Sequence, residues 1–362
     1  MFRSARRAAR RATGLTRTVL AAAVALSSGT LIGLASVPAS GADGAAASLV
    51  PARFHGVNWA DPRDNYADDP VVLSGLSLSD DYATTYAKAS GVIAGFRKNL
   101  QANTVRLPVN PYTVNGTYWR SYRAVIDAAT AHGFKVVLGY WEGTGAQKDG
   151  LVDNLPDFWR MWGTVTHAYQ RNPLVYFEPM NEPHGYTAQA WADLAAQWIG
   201  TYPSVPRNRI FVSGSGYNDS VVGVCADHRL DGTYLSLHHY GFWKQSATYD
   251  EWVTDLKARI GNCASRTVAD EFGAPMTTGL NYNQPASASS DPNSVAFVQA
   301  DTDTFRALHM GAVYWPGLRT GDTYSIQTLT GSGTHLGLAT TNASGADRLA
   351  WAWGQGHPAT EG

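Results

Sequence analysis

Cysteine and charge are what this 362-residue sequence has least of. Its two cysteines are too few for a disulfide-stapled small domain or a cysteine-rich metal cluster. Charged residues make up 16% of the chain, 28 basic against 29 acidic, and 44% of it is apolar, a balance that excludes intrinsic disorder. Several motifs are missing as well. After the first strand candidate the chain reads Ala60-Asp61-Pro62-Arg63, not a Gly-x-Gly-x-x-Gly turn, and no P-loop occurs, so nothing supports an open nucleotide-binding sheet. Ser213-Gly214-Ser215-Gly216 lacks the Gly-x-Ser-x-Gly spacing of a serine-hydrolase elbow. His-Glu-x-x-His is absent, and no basic stripe interleaved with aromatics points to nucleic acid.

Acids are also absent from the start of the chain, where none precedes Asp43. Arg3, Arg6, Arg7, Arg10, Arg11 and Arg17 lead into the apolar stretch Val19 to Ala35, with small residues near Ala39 and Ala42. This is the layout of an export signal peptide, expected over residues 1–42. Ser27, Ser28, Gly29, Thr30 and Gly33 dilute the run below the ~20 strongly apolar residues of a membrane span. Its removal takes six basic residues and no acid, leaving 22 basic against 29 acidic residues, a charge of -7. The mature product is expected to be secreted and free of the membrane. In an oxidising setting Cys225 and Cys263 either pair or stay as buried small hydrophobes.

Residues 43–362 read as one domain. Eight short runs rich in Val, Ile, Tyr and Phe fall at 54–59, 104–109, 135–141, 175–182, 209–214, 234–240, 266–272 and 311–316. Helical patterns lie between them at 82–100, 119–132, 157–170, 187–202, 249–260 and 293–310, with an irregular connection around Cys225. Alternating strand and helix over this length predicts an α/β fold, a single-domain (β/α)8 TIM barrel. Residues 319–345, rich in Gly, Thr and Ser, precede an aromatic segment, Leu349 to Trp353, expected to pack the last helix against the barrel.

Chemistry in such barrels sits at the carboxyl ends of the strands. Those ends carry Asn58 and Trp59, Arg106, Tyr140-Trp141-Glu142, Asn181-Glu182-Pro183, His238-His239-Tyr240, Asp270-Glu271 and Trp315. Two glutamates on different strands of one mouth have the makings of a glycosidase pair, in which one carboxylic acid protonates the leaving oxygen and the other attacks the anomeric carbon. Trp and Tyr offer flat faces to sugar rings. Strand periodicity puts His238 and Tyr240 on one face and His239 on the other, so the adjacent histidines are poor joint metal ligands. The same rule separates Asn181 from Glu182 unless a bulge lies near Pro179. Glu178, just before it, reads as a buried structural acid.

The string Arg171-Asn-Pro-Leu-Val-Tyr-Phe-Glu-Pro-Met-Asn-Glu-Pro-His-Gly185 resembles the fourth-strand signature of glycoside hydrolase family 5, the cellulase family. Further matches follow in order: Gly56-Val57-Asn58, Thr104-Val105-Arg106-Leu107-Pro108, His238-x-Tyr240, Glu271-Phe272-Gly273 and Trp315. The resemblance implies a retaining β-glycoside hydrolase with Glu182 as acid/base and Glu271 as nucleophile. It further places Arg106 and Tyr240 beside the nucleophile, Asn181 at the sugar 2-hydroxyl, His238 in the site and Trp315 under the sugar. Trp59, Trp141, Trp243 and Tyr186 are candidate sugar platforms.

One departure stands out. Many family members carry a histidine at the end of the third strand, where this chain has Tyr140-Trp141-Glu142. Glu142 is then either a third carboxylate of the cleft or an exposed loop acid. The expected activity is endo-β-glucanase-like, with an exo-acting glycosidase or a mannanase as alternatives on the same site, and a non-catalytic carbohydrate-binding barrel as the alternative of another class. The expected partner is a carbohydrate substrate, with no nucleic acid, cofactor or metal, and the expected state is a monomer.

Overall fold

The computed structural model describes residues 48–143 and 148–356; the expected signal segment 1–42 lies outside them. Eight parallel strands form the barrel: β1 His55–Trp59, β2 Thr104–Val109, β3 Lys135–Tyr140, β4 Val175–Glu178, β5 Phe211–Ser213, β6 Tyr234–Tyr240, β7 Thr267–Gly273 and β8 Gly311–Leu318. Their order is β4-β3-β2-β1-β8-β7-β6-β5, and a parallel bridge from Phe177 to Ile210 closes the ring between β4 and β5. The ten helices among the described residues are α1 Tyr82–Leu100, α2 Pro111–Val114, α3 Trp119–Ala131, α4 Leu155–Tyr169, α5 Ala188–Thr201, α6 Ser215–Asn218, α7 Val222–Ala226, α8 Tyr249–Ile260, α9 Pro292–Ala307 and α10 Ala343–Ala352.

Local chemistry sets these bounds. Asp81, Asn154, Thr187, Thr248, Asp291 and Asn342 each cap a helix by accepting a first-turn backbone N–H, and Thr248 with Glu251 makes a full capping box. The irregular fifth connection is the pair of one-turn helices α6 and α7, and it is tied down by a disulfide between Cys225 and Cys263.

Side chains fill the barrel in layers because successive residues alternate between its interior and the helices. The floor is apolar: Phe54, Val137, Tyr176, Phe211, Tyr234, Val268 and Val313 form one buried cluster. Further along the strands the interior turns polar, with Asn58, Arg106, Glu178, Ser213, Ser236 and Asp270 all buried. Gly139 belongs to this layer for want of space, since a Cβ there would sit 2.8 Å from a Glu178 carboxylate oxygen.

The segment after β8 holds two strands that the sequence reading did not assign. Within the Gly- and Thr-rich stretch, β9 Gln327–Ser332 and β10 His335–Thr340 form an antiparallel hairpin that lies on α1. Gly91 and Gly95 of α1 allow this approach: a Cβ on Gly91 would fall 2.1 Å from the Leu336 carbonyl oxygen. The aromatic segment behaves as expected. Trp353 donates from its indole Nε1 to the Ala312 carbonyl at 2.8 Å and stacks on His55.

Candidate active site

Above the polar layer a cleft of ≈ 390 Å³ opens at the carboxyl end of the barrel. Glu182 and Glu271 both line it. One oxygen from each carboxylate and a ring nitrogen of His238 lie within 4.8 Å of one another.

Two interruptions of strand pairing bring these groups together. Regular pairing of β3 with β4 ends at Gly139 opposite Glu178, and the Asn181 N–H then donates to the Tyr140 carbonyl at 2.8 Å. Pro179 and Met180 between them are the irregularity expected near Pro179. Glu182 follows in the left-handed region at φ 48°, so it shares the cleft with Asn181 instead of opposing it. In β7 the register slips between Leu237–Ala269 and His238–Glu271, which makes Asp270 the extra residue of a bulge. Asp270 and Glu271 therefore both face the barrel interior, although they are neighbours in sequence.

Arg106 is fully buried beneath the cleft and organises the acids around it. Its Nε and one Nη clasp Glu178 at 2.6 and 3.0 Å. The same Nη donates to Asn181 at 2.7 Å, while the other donates to Asn58 at 3.1 Å and to Glu271 at 2.5 Å. Its guanidinium lies 4.5 Å from the centre of the Trp141 ring. Glu271 also accepts from the Tyr240 hydroxyl at 2.7 Å. Burial pushes the Glu271 pKa up, opposed by His238, Arg106 and the Tyr240 hydrogen bond.

Glu182 keeps different company. Its oxygens meet the Tyr66 hydroxyl at 3.0 Å and His238 Nδ1 at 2.9 Å, and no cation touches it among the described residues. Burial pushes its pKa up to about 7, with the Tyr66 hydrogen bond and Arg106 opposing. Burial pulls His238 down to about 4, so at neutral pH its imidazole is uncharged.

Trp141 and Trp315 stack at 6.0 Å between ring centres and wall the cleft, with Tyr66 and Tyr240 packed against them. The loops after β5 and β6 add Tyr217, Phe242 and Trp243 to the cleft lining, the last 66% exposed, with Phe242 packed on Tyr240. His239 points away from the cleft, as its strand position implies, and is held by Asp255 and Asp301.

Three sequence expectations are corrected. Trp59 is no sugar platform: it is fully buried on the helix side of β1, edge-on to Phe96, with its Nε1 bonded to the Ser74 carbonyl. Alternation along the strand sends Asn58 inward and Trp59 outward. Glu142 is neither in the cleft nor exposed. It is buried and accepts the Gly150 N–H at 3.0 Å, and burial pushes its pKa up to about 7. Tyr186 packs against Trp191 and receives the Val152 N–H on its hydroxyl, away from the cleft lining. Sequence reasoning passed over Tyr66 and gave Asp270, though named at its strand end, no role. Tyr66 comes from a loop without a motif, whereas Asp270 stands beside Glu271 in the sequence and only strand alternation argued against it.

A closed eight-stranded barrel with paired carboxylates and stacked tryptophans at its mouth defines the class of barrel glycosidases. The sequence model of the cellulase family, glycosyl hydrolase family 5, matches residues 65–316, and the chain belongs to that family. It is an O-glycosyl hydrolase. Solved structures with the same fold include the catalytic domain of the major endoglucanase of Xanthomonas campestris pv. campestris, at 17% identity, covering 85% of this chain and all of that one with a TM-score of 0.62. The endocellulase of Pyrococcus horikoshii, in complex with cellotetraose, is 16% identical over 83% of this chain and 92% of that one, with a TM-score of 0.64. Cel5A (EG2) of Hypocrea jecorina is 16% identical over 80% and 96%, with a TM-score of 0.54. None of the curated proteins compared with the chain matches it.

Proposed function

We propose that the protein is a secreted, retaining β-glycoside hydrolase of endo-β-glucanase type, working by double displacement with Glu271 as nucleophile and Glu182 as acid/base. The observation that carries this reading is the approach of the two carboxylates, with an oxygen of each within 4.8 Å. Retaining glycosidases hold the groups ~5–5.5 Å apart, whereas inverting ones leave ~6.5–9.5 Å for a water.

The partners divide the roles. Glu271 is paired with a guanidinium and a phenol hydroxyl, which favour its charged form, as a nucleophile requires. Glu182 has no cation in contact, and with its pKa at about 7 it holds a proton near neutrality. In the first step a Glu271 oxygen bonds to the anomeric carbon, the glycosidic C–O bond breaks, and the Glu182 proton passes to the departing oxygen. In the second, Glu182 takes a proton from water as its oxygen attacks that carbon and Glu271 leaves. Trp315, backed by Trp141, stacks on the sugar being attacked, and Asn181, held by Arg106, faces its 2-hydroxyl. The aromatic residues Tyr217, Phe242 and Trp243 line the same cleft and suit the leaving part of a neutral chain. Export is supported by the arginine-led leader and by the Cys225–Cys263 disulfide, a bond typical of oxidising compartments.

The test is a panel of β-glucans, mannans and aryl β-glycosides, with product sizing and NMR of the newly formed anomeric centre. Mid-chain cleavage of β-glucan giving β-configured products is expected. Release of single sugars from chain ends, preference for mannan, or binding without cleavage would replace the reading with an exo-glycosidase, a mannanase or a non-catalytic barrel respectively.

A further inference from the structure

The polar layer beneath the cleft holds more acid than its cation can balance. Glu178, Asp270 and Glu271 surround the single guanidinium of Arg106, and all three are buried. Uncompensated buried charge is costly enough that a carboxyl in this position takes a proton instead. The hydrogen bonds show which one. Glu178 receives the guanidinium fork and has Ser213 Oγ at 3.2 Å, and Glu271 receives Arg106 and Tyr240. Asp270 has the poorest set, with Arg106 Nε at 3.4 Å as its nearest cation.

Ser236 makes the argument sharper. Its Oγ lies 2.8 Å from Glu178 Oε1 and also contacts Asp270 Oδ2. A hydroxyl has one hydrogen and cannot donate to two carboxylates at once. With a proton on Asp270 Oδ2, both contacts become hydrogen bonds: Asp270 donates to Ser236, and Ser236 donates to Glu178. The other oxygen, Asp270 Oδ1, has no partner within hydrogen-bond distance. It lies 3.6 Å from His238 Nε2, another buried atom without one. His238 Nδ1 in turn contacts Glu182 at 2.9 Å.

We propose that Asp270 is a neutral carboxylic acid in the working enzyme and acts as a positioning residue, aligning His238, and through it Glu182, by a file running Glu178, Ser236, Asp270, His238, Glu182. Arg106 is then shared by only two carboxylates, and Glu271 keeps its charge for attack. The groups facing Asp270 are Arg106 of β2, Glu178 of β4, Ser236 and His238 of β6 and Glu271 of its own strand. Burial, followed by the charge of Glu178, raises the Asp270 pKa well above the ordinary carboxylate range. The role through Glu182 rests on the function proposed above, whereas the protonation of Asp270 does not.

The experiment pairs Asp270→Asn with Asp270→Ala. Asn reproduces the shape of the protonated acid and its division into a donor atom and an acceptor atom, so kcat/KM is expected to stay within about threefold and both limbs of its pH profile to stay in place. Asp270→Ala removes the carboxyl that faces His238 Nε2 and is expected to lower kcat about tenfold or more with KM little changed. An acidic limb that moves to lower pH in Asp270→Asn would overturn the proposal, because it would mean that a negative charge beside Glu271 had been removed. Infrared spectra of wild-type enzyme labelled with carbon-13 at the aspartate carboxyls give a readout independent of activity and of the variant's folding. A protonated-carboxyl band at pH 7 that disappears in Asp270→Asn supports the proposal; no such band in the wild-type enzyme refutes it, whatever the substrate proves to be.

Discussion

Glu182 and Glu271 are the same residue type in one cleft, yet their neighbours differ, and the proposed double displacement gives them opposite tasks. On the proposed assignment, Glu271→Ala and Glu182→Ala are each expected to lower turnover on an unactivated substrate by ~10³-fold or more, since one lacks its nucleophile and the other its proton donor. Near-normal turnover in either variant, measured by reducing-sugar release, would contradict it. The pH dependence follows from Glu182, which must be protonated for the first step. With a pKa of about 7, activity is present below that value and is lost as pH rises through it. Tyr66 tunes this limb. Its hydroxyl donates to the carboxylate and so favours the charged form. Tyr66→Phe removes that preference, and the alkaline limb of kcat/KM is expected to move to higher pH, by a few tenths to ~1 unit. A limb that stays put or moves down would separate Tyr66 from the acid. Tyr66 could not be found from sequence, because a tyrosine in a loop after the first strand carries no periodicity and no motif. Glu182 and Glu271 could be found, because strand ends are where the barrel exposes its interior and both sit in ordered motifs.

At the scale of elements, the barrel strands and the long helices were legible because each strand is a short β-branched and aromatic run and each long helix except α3 starts at a capping side chain. The hairpin β9–β10 was not, since Gln327-Thr-Leu-Thr-Gly-Ser332 offers little apolar alternation and is half-exposed. Its trace in the sequence is the pair of glycines in α1, which local propensity counts as defects. On propensity alone Gly91→Ala would stabilise α1 by ~1 kcal/mol. The opposite is expected here, because the added methyl would meet the Leu336 carbonyl at 2.1 Å and must push the hairpin away. Thermal unfolding of Gly91→Ala should show a lowered Tm, and a raised one would mean that the hairpin is not seated on α1. The disulfide acts at the same scale by joining cysteines 38 positions apart in the sequence. Replacing both cysteines with alanine is expected to cost ~2–4 kcal/mol, read as a lower denaturation midpoint that added reductant no longer shifts.

The molecule as a whole is where the near-neutral composition misleads. The 28 basic residues include six arginines in the first seventeen positions, and the remainder of the chain is acidic. Export with cleavage near Ala42 therefore predicts a product of charge -7 in place of -1. The fold limits how far downstream the cut can fall. Leu49 packs against the apolar floor of the barrel, and the Val50 N–H donates to the Tyr234 hydroxyl at 3.2 Å, so trimming past these residues would uncover the floor. A start between about Ala39 and Leu49 satisfies both the leader pattern and the packing. Intact-mass and N-terminal analysis of protein recovered from the culture medium should find that start, with the cysteines oxidised and strong retention on an anion exchanger at pH 7. A chain that still carries Arg3 to Arg17, or that is found only inside the cell, would remove export from the proposed function while leaving the glycosidase site untouched.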